Sequence, residues 1–302
     1  MTQDKKQDGT AADWIADRAL RGLIGTMLRL PYNQRVPLMG TSLRRAIGPL
    51  VGYRQRAEEN LAMIYPQMST QARRKLAEDC CDNFGRTLIE NYSWQEFGQR
   101  LRPVTPTGSG LEPLAQAKKD GRPVIFVTGH FGNHEAPRQV LTAMGYTIGG
   151  LFRPMHNPYF NAHYEKTMTS WGGPVFAQGR RGTMGFMRHL RDGGMGTLLF
   201  DVASRGAVIP FLGHPARTAT STADIALKID ALVIPYFGIR QPDGLSFTVE
   251  VQDPIPHGSP IDMMTAMTKR LEEQVTKHPE QWFWIHRRWK GGARAARLAA
   301  AR

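Results

Sequence analysis

An apolar run, Val124–Thr128, is followed at once by a short segment that carries an imidazole and a carboxylate, His130 and Glu135. On one continuous helix, residues five positions apart project about 140° from each other, so these side chains would not meet. A strand–turn–helix transition would bring them together, and Gly129 and Gly132 permit such a turn. A histidine held by a carboxylate is a general base with a stabilised imidazolium form. We therefore expect His130 to be a catalytic base oriented by Glu135. Because the motif contains no Ser or Cys, we expect the base to activate a substrate hydroxyl.

Three further side chains are candidates for binding a substrate. Asn133 precedes a predicted helix, so it either caps that helix or contacts the substrate. Arg153 lies before Pro154 in an extended segment, where a guanidinium suits a phosphate; the alternative is a surface ion pair. Asp201 ends an apolar run, a position favoured for function, but it would equally cap the turn at 204–206.

Strand-like and helical patterns alternate after residue 123. The alternation predicts an α/β fold whose largely parallel central sheet is flanked by helices on both faces. Residues 245–251 alternate in polarity and predict an antiparallel edge strand. Active sites in open α/β sheets lie outside the carboxyl ends of the strands, where the sequence places His130. The predicted strands are 124–128, 146–151, 175–177, 197–200 and 232–237, and the predicted helices are 136–144, 159–170, 182–191, 221–229 and 261–277.

The chain divides into three parts by pattern. Residues 1–105 read as a helical, membrane-associating region, with breaks near Pro31, Pro37, Gly48-Pro49 and Pro66. Residues 106–290 form the α/β domain. Residues 291–302 are a basic tail, whose charge fits either a membrane surface or a solubilising role.

The charge balance concerns partners rather than the fold. The 302 residues contain 39 Lys and Arg against 26 Asp and Glu, a net charge of +13. Such a surplus suits an anionic membrane, nucleic acid or acidic substrates. No zinc-finger spacing, RNP-like aromatic block or basic heptad helix is present, so we expect no nucleic acid. Arginines interleaved with Trp282, Trp284 and Trp289 suit a membrane interface.

The N-terminal region suggests a surface anchor. No signal-peptide pattern is present, and no uncharged run approaches the roughly 18 residues that a spanning helix requires. Cys80 and Cys81 lack metal or redox spacings and indicate a reducing compartment. We expect a peripheral or monotopic amphipathic anchor; the alternative is that its apolar face packs on the protein itself. That face consists of Trp14, Leu20, Leu23, Ile24, Met27, Leu28 and Leu30.

The segment His-Phe-Gly-Asn-His-Glu at 130–135 resembles the His-x-x-x-x-Glu signature of the lysophospholipid acyltransferase superfamily. It is most similar to the branch of late lipid A acyltransferases, which transfer lauroyl or myristoyl groups and usually carry Trp where this chain has His134. Other segments resemble further elements of the branch in the same order, and they lie at 152–158, 198–202, 208–213, 216–220, 231–237 and 281–289.

The resemblance implies an O-acyltransferase of lipopolysaccharide biosynthesis that works without an acyl-enzyme. The donor would be a fatty acyl thioester, on acyl carrier protein rather than acyl-CoA, and the acceptor a hydroxyl of a lipid A precursor. A lysophospholipid or ornithine-lipid type acceptor is the main alternative. The resemblance also implies the cytoplasmic face of the cell inner membrane, with an anionic membrane surface as partner. We expect neither a metal nor a cofactor.

Two alternatives of other classes stay open. Gly-Asn-His-Glu at 132–135 also occurs in binuclear-metal phosphoesterases, but their upstream Asp-x-His and Gly-Asp-x-x-Asp elements are missing. A non-catalytic membrane-surface binding protein would have no need of the paired His130 and Glu135. The remaining histidines, His156, His163, His189, His214 and His286, are too dispersed in sequence to define a ligand spacing.

Overall fold

The computed structural model describes residues 9–169 and 173–294, which fold around a six-stranded sheet in the order β3-β2-β4-β1-β7-β8. Five strands are parallel, and the edge strand β8 runs antiparallel to β7. The predicted α/β class and its antiparallel edge strand are therefore confirmed. The strands are β1 (Val124–Thr128), β2 (Ile148–Phe152), β3 (Val175–Ala177), β4 (Met195–Leu199), β7 (Leu232–Arg240) and β8 (Phe247–Val251), and a separate hairpin contains β5 (Ala207–Phe211) and β6 (His214–Thr218).

Strand β1 lies inside the sheet between β4 and β7, and all five of its residues are buried. Ile125 and Val127 belong to the core on one face of the sheet, and Val124 and Phe126 to the core on the other. This follows from the two-residue period of a strand. Because Thr128 pairs with Leu199, the segments that leave β1 and β4 emerge side by side.

Helices cover both faces of the sheet and form the N-terminal region. Helix α5 carries buried residues of both cores, so the N-terminal helices share the core of the sheet. The expected break at Pro37 is wrong, because this proline lies inside α2. The helices are α1 (Ala11–Met27), α2 (Tyr32–Ser42), α3 (Gly48–Leu50), α4 (Tyr53–Ile64), α5 (Thr70–Tyr92), α6 (Trp94–Leu101), α7 (Leu111–Asp120), α8 (Ala136–Ala143), α9 (Pro158–Thr169), α10 (Arg180–Arg191), α11 (Ser221–Ile229) and α12 (Pro260–Lys277), with a π-helical turn at Leu43–Ile47 and a 3-10 turn at Pro279–Gln281.

The β5–β6 hairpin was not predicted from the sequence. Its two-residue turn has Leu212 and Gly213 at φ values of 50° and 77°, the positive-φ pair of a tight hairpin turn. A leucine at positive φ is unusual, so sequence patterns do not predict a turn at this position. Tertiary contact supports it, because the Leu212 N–H donates to the Glu272 carboxylate on α12.

Part of the apolar face of α1 is buried in the protein core, and part of it is exposed. Ile24 and Met27 are buried in the core, whereas Trp14 and Ile15 are exposed, as is Leu28 just beyond the helix. Leu20, Leu23 and Leu30 pack partly against the same core. Among residues 9–169 and 173–294, no helix has the length and apolar character needed to cross a membrane. Residues 295–302 of the predicted basic tail lie outside the described residues.

Candidate active site

The loop between β1 and α8 makes the sharp turn that the glycines predicted. Gly132 has φ +52°, and a Cβ atom there would lie 1.9 Å from the Gly238 carbonyl oxygen. The loop is tied down on both sides: the Gly132 N–H donates to the Gln281 carbonyl at 2.9 Å, and the Thr87 hydroxyl donates to the Gly132 carbonyl at 2.8 Å. Only glycine meets both the conformational and the steric demand here.

His130 is held by Asp201, which lies two residues beyond the end of the neighbouring strand β4. The His130 Nδ1 atom lies 2.8 Å from Asp201 Oδ1, and the His130 backbone N–H donates to Asp201 Oδ2 at 2.8 Å. The Trp282 indole N–H donates to the same Oδ2 at 2.9 Å. With Nδ1 donating to a carboxylate, Nε2 is the ring nitrogen able to accept a proton. The His130 side chain is 32% exposed and the Asp201 side chain 0%, so the imidazole faces outward on a buried support.

The Asp201 carboxylate is ionised. Burial alone would raise the pKa of this carboxyl. The charge of the His130 imidazolium and the hydrogen bonds from His130 outweigh burial, and the pKa lies well below its ordinary value. Asp201 therefore keeps its negative charge beside the His130 ring and stabilises the imidazolium that forms when His130 accepts a proton.

Two further imidazoles surround His130. The ring centroid of His286 lies 4.4 Å from that of His130, and the centroid of His134 lies 5.6 Å away. Burial lowers the pKa of His286 to about 3 and that of His134 to about 4. Both rings are therefore neutral at neutral pH. His286, for which the sequence favoured a substrate-pocket or surface position, is distant from His130 along the chain, and only the return of the chain after α12 brings it to the site.

Glu135 does not occupy the position that the sequence predicted for it. Its Oε2 accepts from Arg138 Nη1 at 3.2 Å, and both residues are buried. Arg138 also donates from Nε to the Ile148 carbonyl at 3.1 Å, so Glu135 faces the interface of α8 with β2. Within the described parts of the chain, the carboxylate on His130 Nδ1 is that of Asp201. The turn at Gly132 carries Glu135 into the start of α8 and away from the ring.

Asn133 shapes the loop from inside. Its Oδ1 accepts from the Glu135 N–H at 3.0 Å, and its Nδ2 donates to Glu90 Oε2 at 2.9 Å. Its exposure is 0%, which leaves no accessible atom for a substrate and corresponds to the capping alternative. Glu90 in turn is paired with the buried Arg240. The sequence did not identify this pair, and its only signal was the row of polar residues Asn83, Thr87 and Glu90 along one face of α5.

Arg153 is exposed at the carboxyl edge of the sheet after β2. Strand β4 lies between β2 and β1, which places Arg153 about 10 Å from the His130 strand in the plane of the sheet.

Trp282 and Trp284 are both 0% exposed, so the prediction that they face a membrane is wrong.

The same cluster contains the groups best placed to hold a metal ion. Donor atoms of His130, Asp201 and His286 lie within 4.8 Å of one another. The spacing of the histidines along the chain did not define this set, and the fold brings His286 beside His130. The oxygens of Asp201 already accept three N–H groups, and a cation there would have to displace the bond to His130 Nδ1. This donor set fits a hydrogen-bonded base better than it fits a metal centre.

Comparison with known proteins shows the family. A sequence profile described as bacterial lipid A biosynthesis acyltransferase matches residues 11–291. A lipid A biosynthesis acyltransferase of Haemophilus influenzae is 26% identical over 270 residues, 85% of this chain and 81% of the relative. The lipid A biosynthesis lauroyltransferase of Escherichia coli K12 is 26% identical over 282 residues, 89% of each chain. The lipid A biosynthesis myristoyltransferase of that strain is 22% identical over 280 residues, 90% of this chain and 84% of the relative.

The profile spans nearly the whole chain, from α1 to the segment after Trp289, and includes the loop of His130 and the segments of Asp201 and His286. This chain belongs to the bacterial lipid A biosynthesis acyltransferase family and is an acyltransferase.

Proposed function

We propose that the protein transfers a fatty acyl group from an acyl thioester to a hydroxyl of a lipid A precursor. The observation that carries the proposal is the partly exposed imidazole of His130 with its Nδ1 held by the buried Asp201. The family's role in lipid A synthesis supports the acceptor class. Acyl carrier protein is the donor that we favour over acyl-CoA, because the resemblance to the late lipid A acyltransferases implies it.

The reaction follows from the position of the base. His130 Nε2 removes the proton of the acceptor hydroxyl while that oxygen attacks the thioester carbonyl carbon. The imidazolium formed is stabilised by the Asp201 carboxylate. When the tetrahedral intermediate collapses, the carbon–sulfur bond breaks and the imidazolium returns its proton to the departing thiolate. The products are an ester and a free thiol, and His130 is restored.

The cysteines support transfer without an acyl-enzyme. Cys80 and Cys81 are buried and 0–1% exposed. Burial raises the pKa of Cys81 to about 12 and that of Cys80 still further, so both thiols are neutral and unreactive at neutral pH.

The other predicted residues have supporting roles in this proposal. Asn133 and the Glu135–Arg138 pair position the loop of His130. Arg153, exposed at the same edge of the sheet, is proposed to contact a phosphate of the donor or the acceptor. We place the protein on the cytoplasmic face of the cell inner membrane, held peripherally by an anionic surface. A lysophospholipid or ornithine-lipid acceptor is tested beside the lipid A precursor.

The test is acyl transfer by the pure protein, with labelled acyl carrier protein or acyl-CoA and a panel of lipid hydroxyl acceptors. His130→Ala should lower the maximal rate about 10²–10⁴-fold with the fold intact. His257→Ala is the matched control, because His257 bonds to the Ala231 carbonyl at the opposite edge of the sheet. A folded His130→Ala protein with wild-type turnover would contradict the mechanism. A rate abolished by a chelator would do so too.

A further inference from the structure

A cavity of about 570 Å³ opens between α4 and the C-terminal segment, residues 282–294, close behind the active site. Three of its lining residues are cationic: Arg56 on α4, and Arg287 and Lys290 on the C-terminal segment. The rest of the lining is polar or apolar, with one carboxylate, Glu59. The cavity therefore has a surplus of positive charge.

Among the described residues, no carboxylate forms an ion pair with Arg56, Arg287 or Lys290. By contrast, the neighbouring Arg54 pairs with Glu58 and Glu78. The Glu59 carboxylate accepts from the Gln55 side chain at 3.1 Å. The cationic groups of Arg56, Arg287 and Lys290 are thus available to an anion from outside the chain.

Hydrogen bonds from Asn60 connect the cavity to the backbone segment that carries His286. This lining residue donates from Nδ2 to the Trp284 carbonyl at 2.6 Å and to the His286 carbonyl at 2.9 Å. The same backbone segment presents the His286 ring to His130. In addition, the Phe283 N–H donates to the His130 carbonyl at 2.9 Å. The cavity and the catalytic imidazole therefore lie on two sides of one short segment.

An apolar turn stands beside the cations. Leu50 and Val51 are 87% and 47% exposed and directly precede Gly52, which lines the cavity. The lining residue Met63 is also exposed. Exposed apolar side chains beside cations are the arrangement expected where a protein meets the boundary between phosphate headgroups and acyl chains.

We propose that this cavity binds a phosphate monoester on the lipid acceptor, with the Leu50–Val51 turn placed among the acyl chains. The proposal rests on the acyl transfer to a lipid proposed above. A phosphate monoester carries about −1.5 to −2 charges at pH 7, which matches a site with three cations and one carboxylate. Arg56 and Arg287 supply the planar forks that bind phosphate oxygens in pairs, and Lys290 adds a point charge. Binding of the phosphate in this cavity holds the acceptor in place while its hydroxyl reaches His130.

The variant that tests the cavity replaces Arg56, Arg287 and Lys290 together by Gln. The matched control replaces Lys119, Arg191 and Lys228 by Gln, which removes the same charge from three exposed positions. These control residues lie near the ends of α7, α10 and α11, the helices that lead into β1, β4 and β7 at the sheet edge opposite the active site. A general loss of surface charge would affect both variants alike.

The first measurement is steady-state kinetics with a phosphorylated lipid A precursor and with its dephosphorylated form. We expect the cavity variant to raise KM for the phosphorylated acceptor about tenfold or more, with the KM for the donor unchanged. The dephosphorylated acceptor should not distinguish the cavity variant from wild type. A rise in the donor KM alone would overturn the lipid assignment, since the phosphate would then be the donor's.

The second measurement does not depend on catalysis. Wild type should bind phosphatidylcholine vesicles containing phosphatidic acid more tightly than vesicles that contain phosphatidylglycerol at matched surface charge. The cavity variant should lose this preference and the control variant keep it. Equal binding of both vesicle types by wild type, or an equal loss in both variants, would overturn the proposal. If no acceptor is acylated at all, this arm still reports on the cavity, so the two proposals fail separately.

Discussion

Replacement of Asp201 by Asn should decide which carboxylate serves the base. The nearest atoms of the Asp201 carboxylate and the His130 imidazole are 2.8 Å apart. Because each charge is spread over two atoms, we take the two charge centres to be about 4 Å apart for this calculation. At an effective dielectric constant of about 20, charges about 4 Å apart attract by about 4 kcal/mol. That energy corresponds to roughly 10³-fold in rate. We therefore expect kcat to fall about a thousandfold in Asp201→Asn.

Glu135→Gln is the matched comparison, because it neutralises the carboxylate that the sequence pattern favoured. Its partner Arg138 is fully buried, so the loss of the charge should lower the free energy of unfolding by about 3 kcal/mol. The chemical step should fall by less than about tenfold, because the carboxylate on His130 Nδ1 is untouched.

The assay is kcat at saturating donor and acceptor, with thermal melting and near-ultraviolet circular dichroism to establish that each variant is folded. Opposite outcomes would refute the reasoning: a folded Asp201→Asn with near-wild-type kcat and a folded Glu135→Gln reduced a thousandfold. In that case Glu135 orients His130 during turnover.

Three other outcomes follow from the geometry. Gly132→Ala should destabilise the protein far more than Gly121→Ala in urea unfolding, because both glycines have positive φ but only Gly132 would place a Cβ against backbone. The free energy of unfolding should decrease as pH falls from 6.5 toward 4, because the folded protein keeps His134 and His286 neutral and unfolding therefore takes up protons. His134→Phe should make the free energy of unfolding, measured by urea denaturation at a series of pH values, depend less on pH. Arg153→Lys should raise KM for the phosphate-bearing substrate more than it lowers kcat, and unchanged constants in both Arg153→Lys and Arg153→Ala would remove Arg153 from the site.

Local pattern was sufficient to predict the sheet and the position of His130 at the end of a strand. Val124–Thr128 reads as a buried strand because parallel strands covered on both faces are continuous apolar runs. Gly129 and Gly132 marked the turn, and the structure shows that Gly132 has no room for a side chain. The position of His130 at a strand end follows from these two features. The β5–β6 hairpin escaped prediction because Leu212 adopts a conformation that its side chain disfavours, held by a contact with α12.

The carboxylate that bonds to His130 could not be predicted from local sequence pattern. Glu135 is five residues from His130, but the turn that brings the chain into α8 directs it to Arg138. Asp201 is 71 residues away and reaches His130 because β1 and β4 are neighbours in the sheet. Nothing in the spacing of residues along the chain specifies which strands are adjacent.

The sequence by itself determined the α/β class, through the alternation of strand and helix patterns along the chain. It also determined the place of His130 at a strand end and the sharp turn at Gly132, because these two depend on residues within one strand and the turn that follows it. Only the tertiary structure decided that Asp201 orients His130, that His286 stands beside it, and that Trp282 is buried against the same carboxylate. These groups come from β1, the end of β4 and the segment after α12. Their meeting is set by strand order and by the return of the chain, which arise from packing of the whole core.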